Sequence, residues 1–324
     1  MAAIAATPHS SGKAMTSLSN ALARFASEGS EESAIHAGEW LAEALREAPS
    51  VSLSRRAGHA IWMEAWAACA PLSAPSPVLI QRKATLLEVG TRRVLVDPSV
   101  GVAKTPLEER TRSLFGAPPE LASETVDPLS ITDIVLTTLQ HQALRALLGT
   151  TQGDGVRGAG EPFFPRARIH VGASDWKRAL SSEELAVHER DLFLRLRDRE
   201  LVHVSTPLYL EPGLVIVPTP GLTMGNLSVA CRDAEGLVHV ISSNVVTRDA
   251  LSPYESTLPG LLTHTRLRDI DVAPRGDVAS MTRHVAALRF ERHLADRDPA
   301  DPRFLLVWPS SELVHAHVAS APKR

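Results

Sequence analysis

The chain predicts a mixed α/β fold, with a helical N-terminal segment followed by a larger region where buried strands alternate with helices. Three observations carry that prediction. Between Met15 and Cys69, apolar residues recur at the three- and four-residue spacing of a helix face. From Val78 onward the pattern changes to short runs of β-branched and aliphatic residues, as in strands buried on both faces. Charged, helix-patterned stretches near 182–200 and 278–296 separate those runs.

The elements follow in order. Residues 1–14 are small and polar and are expected to be disordered. A helical extension over 15–76 is predicted to hold three helices. The first carries Met15, Leu18, Leu22 and Phe25 on one face; the second carries Ile35, Trp40, Leu41, Ala44 and Leu45; the third carries Ile61, Met63, Ala65 and Trp66. Trp40, Trp62 and Trp66 would cluster there, packing the helical layer or forming a homodimer contact or a cap over a pocket. A Pro- and Ser-rich turn at 70–77 leads into the main domain, 77–324. Strands are expected at 78–80, 84–89, 92–98, 131–136, 168–171, 214–217, 227–231, 237–241 and 304–308. A loop-helix stretch fills 105–124, and the glycine-rich 153–160 lacks the Lys-Ser/Thr of a phosphate loop and reads as a loop beside a pocket.

Composition bounds function. The chain has 324 residues, enough for one large or two small domains. Apolar content of 44% and charged content of 22% fit a soluble globular protein. A net charge of −3 with interspersed signs gives no reason to expect a nucleic-acid or membrane partner. Cys69 and Cys231 are too few for a disulfide framework and read as free thiols in a reducing compartment. The first residues lack the basic start and apolar core of a signal peptide, so a cytoplasmic location is expected.

Several motifs then appear in series. Asp133-Ile-Val-Leu-Thr-Thr-Leu-Gln-His-Gln-Ala143 resembles the metal-binding turn of the metallo-β-lactamase fold superfamily, in which a hydrophobic strand ends in Thr before His-x-His-x-Asp-His. Arg93-Val-Leu-Val-Asp97 resembles that superfamily's early strand ending in Asp-Thr-Gly or Asp-Pro-Gly, and Phe164-Pro-Arg-Ala-Arg-Ile-His-Val171 its Phe-Pro-Asn-Ala strand entry. Glu211 to Gly221 resembles the approach to Thr-Pro-Gly-His-Thr, Ile241 to Val246 the strand ending in Gly-Asp, and Phe304 to Glu312 the strand ending in Pro-Gly-His-Asp. The likeness covers residues 78–318 and points to the lactonase-like branch, which includes acyl-homoserine lactonases. It implies a four-layer αβ/βα sandwich with an N-terminal helical extension.

The resemblance also locates a site and shows what has changed in it. The ligand positions fall on Thr138, Gln140, Gln142, Ala143, Leu222, Asn244 (the bridging-Asp position) and Ser311. Amide and hydroxyl oxygens are weak neutral ligands, and Ala143 and Leu222 offer no donor. The expectation is no metal and no cofactor. Gln140, Gln142 and Asn244 are the candidate oxyanion donors, and His141 the candidate acid or base. Thr138, Leu222, Ser311 and Glu312 would line the substrate pocket. In Ser310-Ser-Glu-Leu-Val-His-Ala-His317, Ser310 or Ser311 is expected to cap a helix, with a serine nucleophile or a His315/His317 metal pair as alternatives. Two functions remain open: a metal-independent hydrolase, cyclase or lyase acting on an ester, lactone, thioester or natural-product-like molecule, and a pseudoenzyme that binds a small molecule or a partner protein.

Overall fold

A computed structural model of the chain describes residues 12–63, 78–98, 127–139, 164–181, 199–258, 260–278 and 280–314, with Leu147, Leu194 and Leu196. Two helices open it, α1 (Gly12–Glu28) and α2 (Glu31–Arg46). Ser30 starts α2 by accepting the Ser33 N–H on its hydroxyl, and Glu31 and Glu32 at one end and Arg46 at the other complement the helix dipole. Seven strands form the first sheet: β1 (Ser52–Met63), β2 (Val78–Val89), β3 (Arg92–Val96), β4 (Asp133–Leu136), β5 (Arg168–Gly172), β6 (Leu201–Val204) and β12 (Ser311–Val314). Their order is β1-β2-β3-β4-β5-β6, with β12 also paired to β2. β3 to β6 run parallel, and α3 (Ala173–Ser181) follows β5.

The second sheet has the order β11-β10-β9-β8-β7. Its strands are β7 (Leu208–Glu211), β8 (Leu214–Pro218), β9 (Leu227–Arg232), β10 (Val238–Ser242) and β11 (Val307–Pro309), with only the β10/β11 pair parallel. Helices α4 (Leu261–Arg268) and α5 (Met281–Leu294) lie between β10 and β11 in sequence.

Three apolar layers hold this together. Leu87, Val94, Val96 and Val135 of the first sheet meet Ile216, Leu227, Val229 and Ile241 of the second. On the first sheet's outer face, Leu95, Ile134 and Ile169 pack with Phe164, Trp176 and Leu196. On the second sheet's outer face, Val215, Val217 and Val240 pack with Leu22, Phe25, Leu41, Leu288 and Phe290. The result is a helix-sheet-sheet-helix sandwich, the mixed α/β class and layer order that the sequence predicts. Val94 and Val96 point to one layer and Leu95 to the other, which is why their strand reads as an unbroken apolar run. Among the described residues no helix is long and apolar enough to cross a membrane.

The structure corrects several local expectations. Ser52–Met63 is the edge strand β1, not a third helix. Pairing with β2 along ten register positions outweighs the helical spacing of Ile61 and Met63. Trp62 therefore lies on a strand, whereas Trp40 lies on α2. Residues 78–89 form one continuous strand instead of two. Ser311 begins β12 and caps no helix, because Ser311 to Val314 pair with Leu79 to Arg82. α3, β6, β7 and α4 are short elements without a predicted counterpart. Cys69, Trp66, residues 105–124 and 182–193, and the glycine-rich 153–160 lie outside the described residues.

Phe25 of α1 stacks on Phe290 of α5, with ring centroids 4.6 Å apart and planes 11° from parallel, and both rings are buried. This contact couples the N-terminal helices to the main sandwich. Phe25→Ala should lower unfolding free energy by about 3–5 kcal/mol in urea titrations, and Phe25→Leu by clearly less. Equal, small losses in both variants would show that the N-terminal helices contribute little to the cooperative unit.

Candidate functional site

The loops that follow β3, β4, β8 and β10, and the β11–β12 connection, converge at one end of the sandwich. Asp97 ends β3 in the left-handed region, with φ 48°, a conformation Asp tolerates better than most residues. From there its carboxylate accepts the Thr137 N–H at 2.8 Å and the Thr137 hydroxyl at 2.5 Å. The Ser310 hydroxyl donates to the same Oδ2. Thr137 also bonds the Ser243 hydroxyl, so four segments share one buried polar knot. Burial pushes the Asp97 carboxyl above the usual range, against the pull of the Ser310 and Thr137 bonds and the Arg82 charge.

A second knot surrounds Asn244, which is wholly buried. Its side-chain oxygen accepts the Leu222 N–H at 2.9 Å, and its amide donates to Glu291 Oε1 at 2.7 Å. Ser228 and Ser242 donate to the same Glu291 oxygen at 2.7 and 2.6 Å, while buried Oε2 has no partner among the described residues. Burial raises the Glu291 pKa, outweighing these bonds. Gly221 is required beside Asn244, because a Cβ there would lie 2.3 Å from the Asn244 oxygen. His284 on α5 donates from Nε2 to the Asn244 carbonyl at 2.9 Å and accepts the Arg275 N–H on Nδ1. Burial, with the Arg275 charge, depresses its pKa to about 4, although the Asn244 bond opposes this.

Two guanidiniums complete the site. Arg82 on β2 donates from Nη1 to Ser311 Oγ at 2.5 Å. Burial lowers its pKa; Asp97 opposes the shift and Arg275 reinforces it. Arg275 is buried and forks onto Asp277 at 2.8 and 2.6 Å.

The structure thus brings Leu222 and Asn244 into direct contact and ties the neighbours of Thr138 and Ser311 together through Thr137 and Ser310. Thr138 is buried. Glu312 sits apart on β12, paired to Lys83 Nζ at 3.3 Å. Gln140, His141, Gln142, Ala143, His315 and His317 lie outside the described residues. Sequence reasoning assigned no role to Asp97, Arg82, Arg275, His284 or Glu291. The last two had a signal: His284, Ala287, Glu291 and Leu294 fall at spacings of three and four on the buried face of α5.

No family model and no curated protein matches this chain. Solved structures do. AidC, a dizinc quorum-quenching lactonase, matches with a TM-score of 0.50 at 13% identity over 75% of this chain and 82% of its own. A probable metal-dependent hydrolase from Staphylococcus aureus gives 0.49 at 12% over 74% and 83%. The hydrolase AbOPH of the β-lactamase superfamily gives 0.48 at 14% over 75% and 82%. The likeness to AidC shows a shared fold, the αβ/βα sandwich that the sequence resemblance implies.

A dinuclear metal centre is the group this fold implies, and the described residues do not fit it. Leu222 has no donor atom. The Asn244 oxygen is engaged by the Leu222 N–H, and the Ser311 hydroxyl lies against a guanidinium that would repel a metal cation. Among the described residues, no group of three or more His, Cys, Asp or Glu is placed to hold a metal. After incubation with zinc, manganese or iron and desalting, elemental analysis should find less than about a tenth of an equivalent bound. One or two equivalents would show that a metal centre forms.

His284 and Glu291 give the site a pH signature. The folded pKa of His284, about 4, lies below the ordinary imidazole value of 6.5. Its contribution is therefore complete above pH 6.5 and is lost as pH falls toward 4, by on the order of 3 kcal/mol. Glu291 runs the other way: with its pKa raised above 4.5, the stability of the neutral form is lost as pH rises past that value. Chemical denaturation across pH 4–8 should lose its acid slope in His284→Gln, and Glu291→Gln should be at least as stable as the parent at pH 7. An unchanged acid slope in a folded His284→Gln protein would refute the first assignment.

Proposed function

We propose that this chain is a metal-independent hydrolase that uses the cleft of its fold on a small ester, lactone, thioester or natural-product-like substrate. The supporting observation is Asp97, a buried acid with a raised pKa that hydrogen-bonds two hydroxyls within electrostatic reach of Arg82. A perturbed acid at converging strand ends, with hydroxyls and a cation, is an arrangement for proton transfer and charge stabilisation. In this reading water adds to the carbonyl and its proton passes to Asp97, directly or through Ser310. Asp97 returns that proton to the leaving oxygen or sulfur. Gln140, Gln142 and His141, next along the chain from Thr138, are the further candidates for the oxyanion and the acid-base step.

A second reading, binding without chemistry, draws support from Asn244 and Ser311, whose polar groups are taken up inside the protein. A panel of activated esters, lactones and thioesters separates the two. On the enzymatic reading, turnover persists in chelator and falls at least about a hundredfold in Asp97→Asn, with the loss reproduced in part by Ser310→Ala. Turnover that needs added metal, or that survives in a folded Asp97→Asn protein, overturns it. Saturable binding with no turnover selects the second reading.

A further inference from the structure

We propose that Arg82 supplies the positive charge that holds one carboxylate group of a small-molecule ligand at this end of the sandwich. The placement comes from strand register. Arg82 on β2 pairs with Ser311 on β12, the position the sequence resemblance assigns to a metal-binding His, and its Nη1 bonds the Ser311 hydroxyl. The guanidinium thus lies against the side chain at a position where the resemblance implies a metal ligand.

Among the described residues this guanidinium is under-used. A guanidinium carries five N–H donors. Nε of Arg82 is buried and has no acceptor among the described residues. The nearby carboxylate, Asp97, is already bonded by the Thr137 N–H and by the Thr137 and Ser310 hydroxyls. Of the other guanidiniums of the region, Arg275 is matched and Arg55 only in part. Arg275 forks onto Asp277. Arg55 donates to the Pro309 carbonyl at 2.8 Å and lies 4.8 Å from the centre of the Trp308 ring, although its Nε is also buried without an acceptor. Burying a charged group with an open donor is costly unless something completes it.

The chemistry of the missing acceptor follows from the surroundings. A guanidinium edge with an open N–H matches the planar, two-oxygen geometry of a carboxylate. Asp97 sets the charge: with one carboxyl already beside Arg82, a single negative charge is accommodated better than the double charge of a phosphate. Leu222 and Met224 on the loop after β8 give the same end of the sandwich an apolar component, and Met224 is exposed. A carboxylate on a short apolar chain fits this combination.

The proposal deepens the reading of the cleft and rests on it only for location. Its test is isothermal titration of the full chain with sodium hexanoate and with hexanamide, the uncharged analogue, followed by NMR of the arginine Nε–H signals. Hexanoate should bind saturably, and hexanamide at least about tenfold more weakly. Arg82→Gln and Arg82→Lys should each weaken hexanoate binding by about tenfold or more, the lysine because it keeps the charge but loses the fork. The Arg82 Nε–H resonance, assigned by its loss in Arg82→Lys, should move as hexanoate is added. That readout uses the unaltered protein, so a variant that fails to fold does not blunt the test. Equal affinity for hexanoate and hexanamide, no hexanoate binding, or a stationary Nε–H signal would overturn the proposal. So would tighter binding of inorganic phosphate than of hexanoate. Arg82-dependent hexanoate binding in a protein without turnover sinks the hydrolase reading and leaves the carboxylate site standing; turnover without hexanoate binding does the reverse.

Discussion

Asn244 is the residue on which the site end of the molecule depends. It is wholly buried, so each polar group it carries must be satisfied by protein. Its side-chain oxygen fixes the loop after β8 through the Leu222 N–H, its amide reaches α5 through Glu291, and its carbonyl receives the His284 ring. One side chain and one carbonyl thereby lock a loop, a strand end and a helix together. Each bond adds about 1 kcal/mol, but leaving a buried partner unpaired costs about 1–3 kcal/mol, so the network is far stiffer than the sum of its bonds.

The same residue organises the electrostatics. The resemblance places a metal-bridging aspartate here, and a carboxylate at that point suits a site that holds cations. On the metal-free reading it would face Glu291 across 2.7 Å, the distance at which Asn244 now donates, and two buried carboxylates cannot both ionise there. The amide removes that conflict by turning repulsion into a hydrogen bond. Glu291 shifts toward its neutral form, and Asp97 is left among Thr137, Ser310 and the Arg82 charge. Changing the one position to asparagine is thus coherent with the protonation of its neighbours.

The sandwich was legible in the sequence because its central strands are buried on both faces, so runs such as Arg93 to Asp97 carry the signal of the fold without help from loops. What escaped was set by long-range pairing. Helical spacing at Ile61 and Met63 lost to the ladder between β1 and β2, and Ser311 was drawn into β12 by the edge that β2 offers. At the site, the positions of Leu222, Asn244 and Ser311 were readable from the motif series, but their partners were not. Arg82 lies 229 residues from Ser311 and Asp97 lies 213 from Ser310, separations that no local pattern connects. Glu291 and His284 lay closer to view, as polar residues on a buried helical stripe.

The sandwich closes on its apolar layers and on buried hydrogen bonds. Three apolar layers supply the core, and the loops at the site end are joined by Asp97, Thr137, Ser243 and Ser310. That use of polar groups has a chemical consequence. A hydroxyl or amide spent on holding loops, as those of Ser243 and Asn244 are, changes partners at a cost when a ligand arrives, so such groups are poorly suited to recognition. Recognition then falls to donors left over after the architecture is complete. Among the guanidiniums packed at this end, Arg275 has its carboxylate, whereas Arg55 and Arg82 each keep a buried Nε–H without an acceptor among the described residues; Arg55 also has a carbonyl and an indole, and Arg82 the Ser311 hydroxyl at the site.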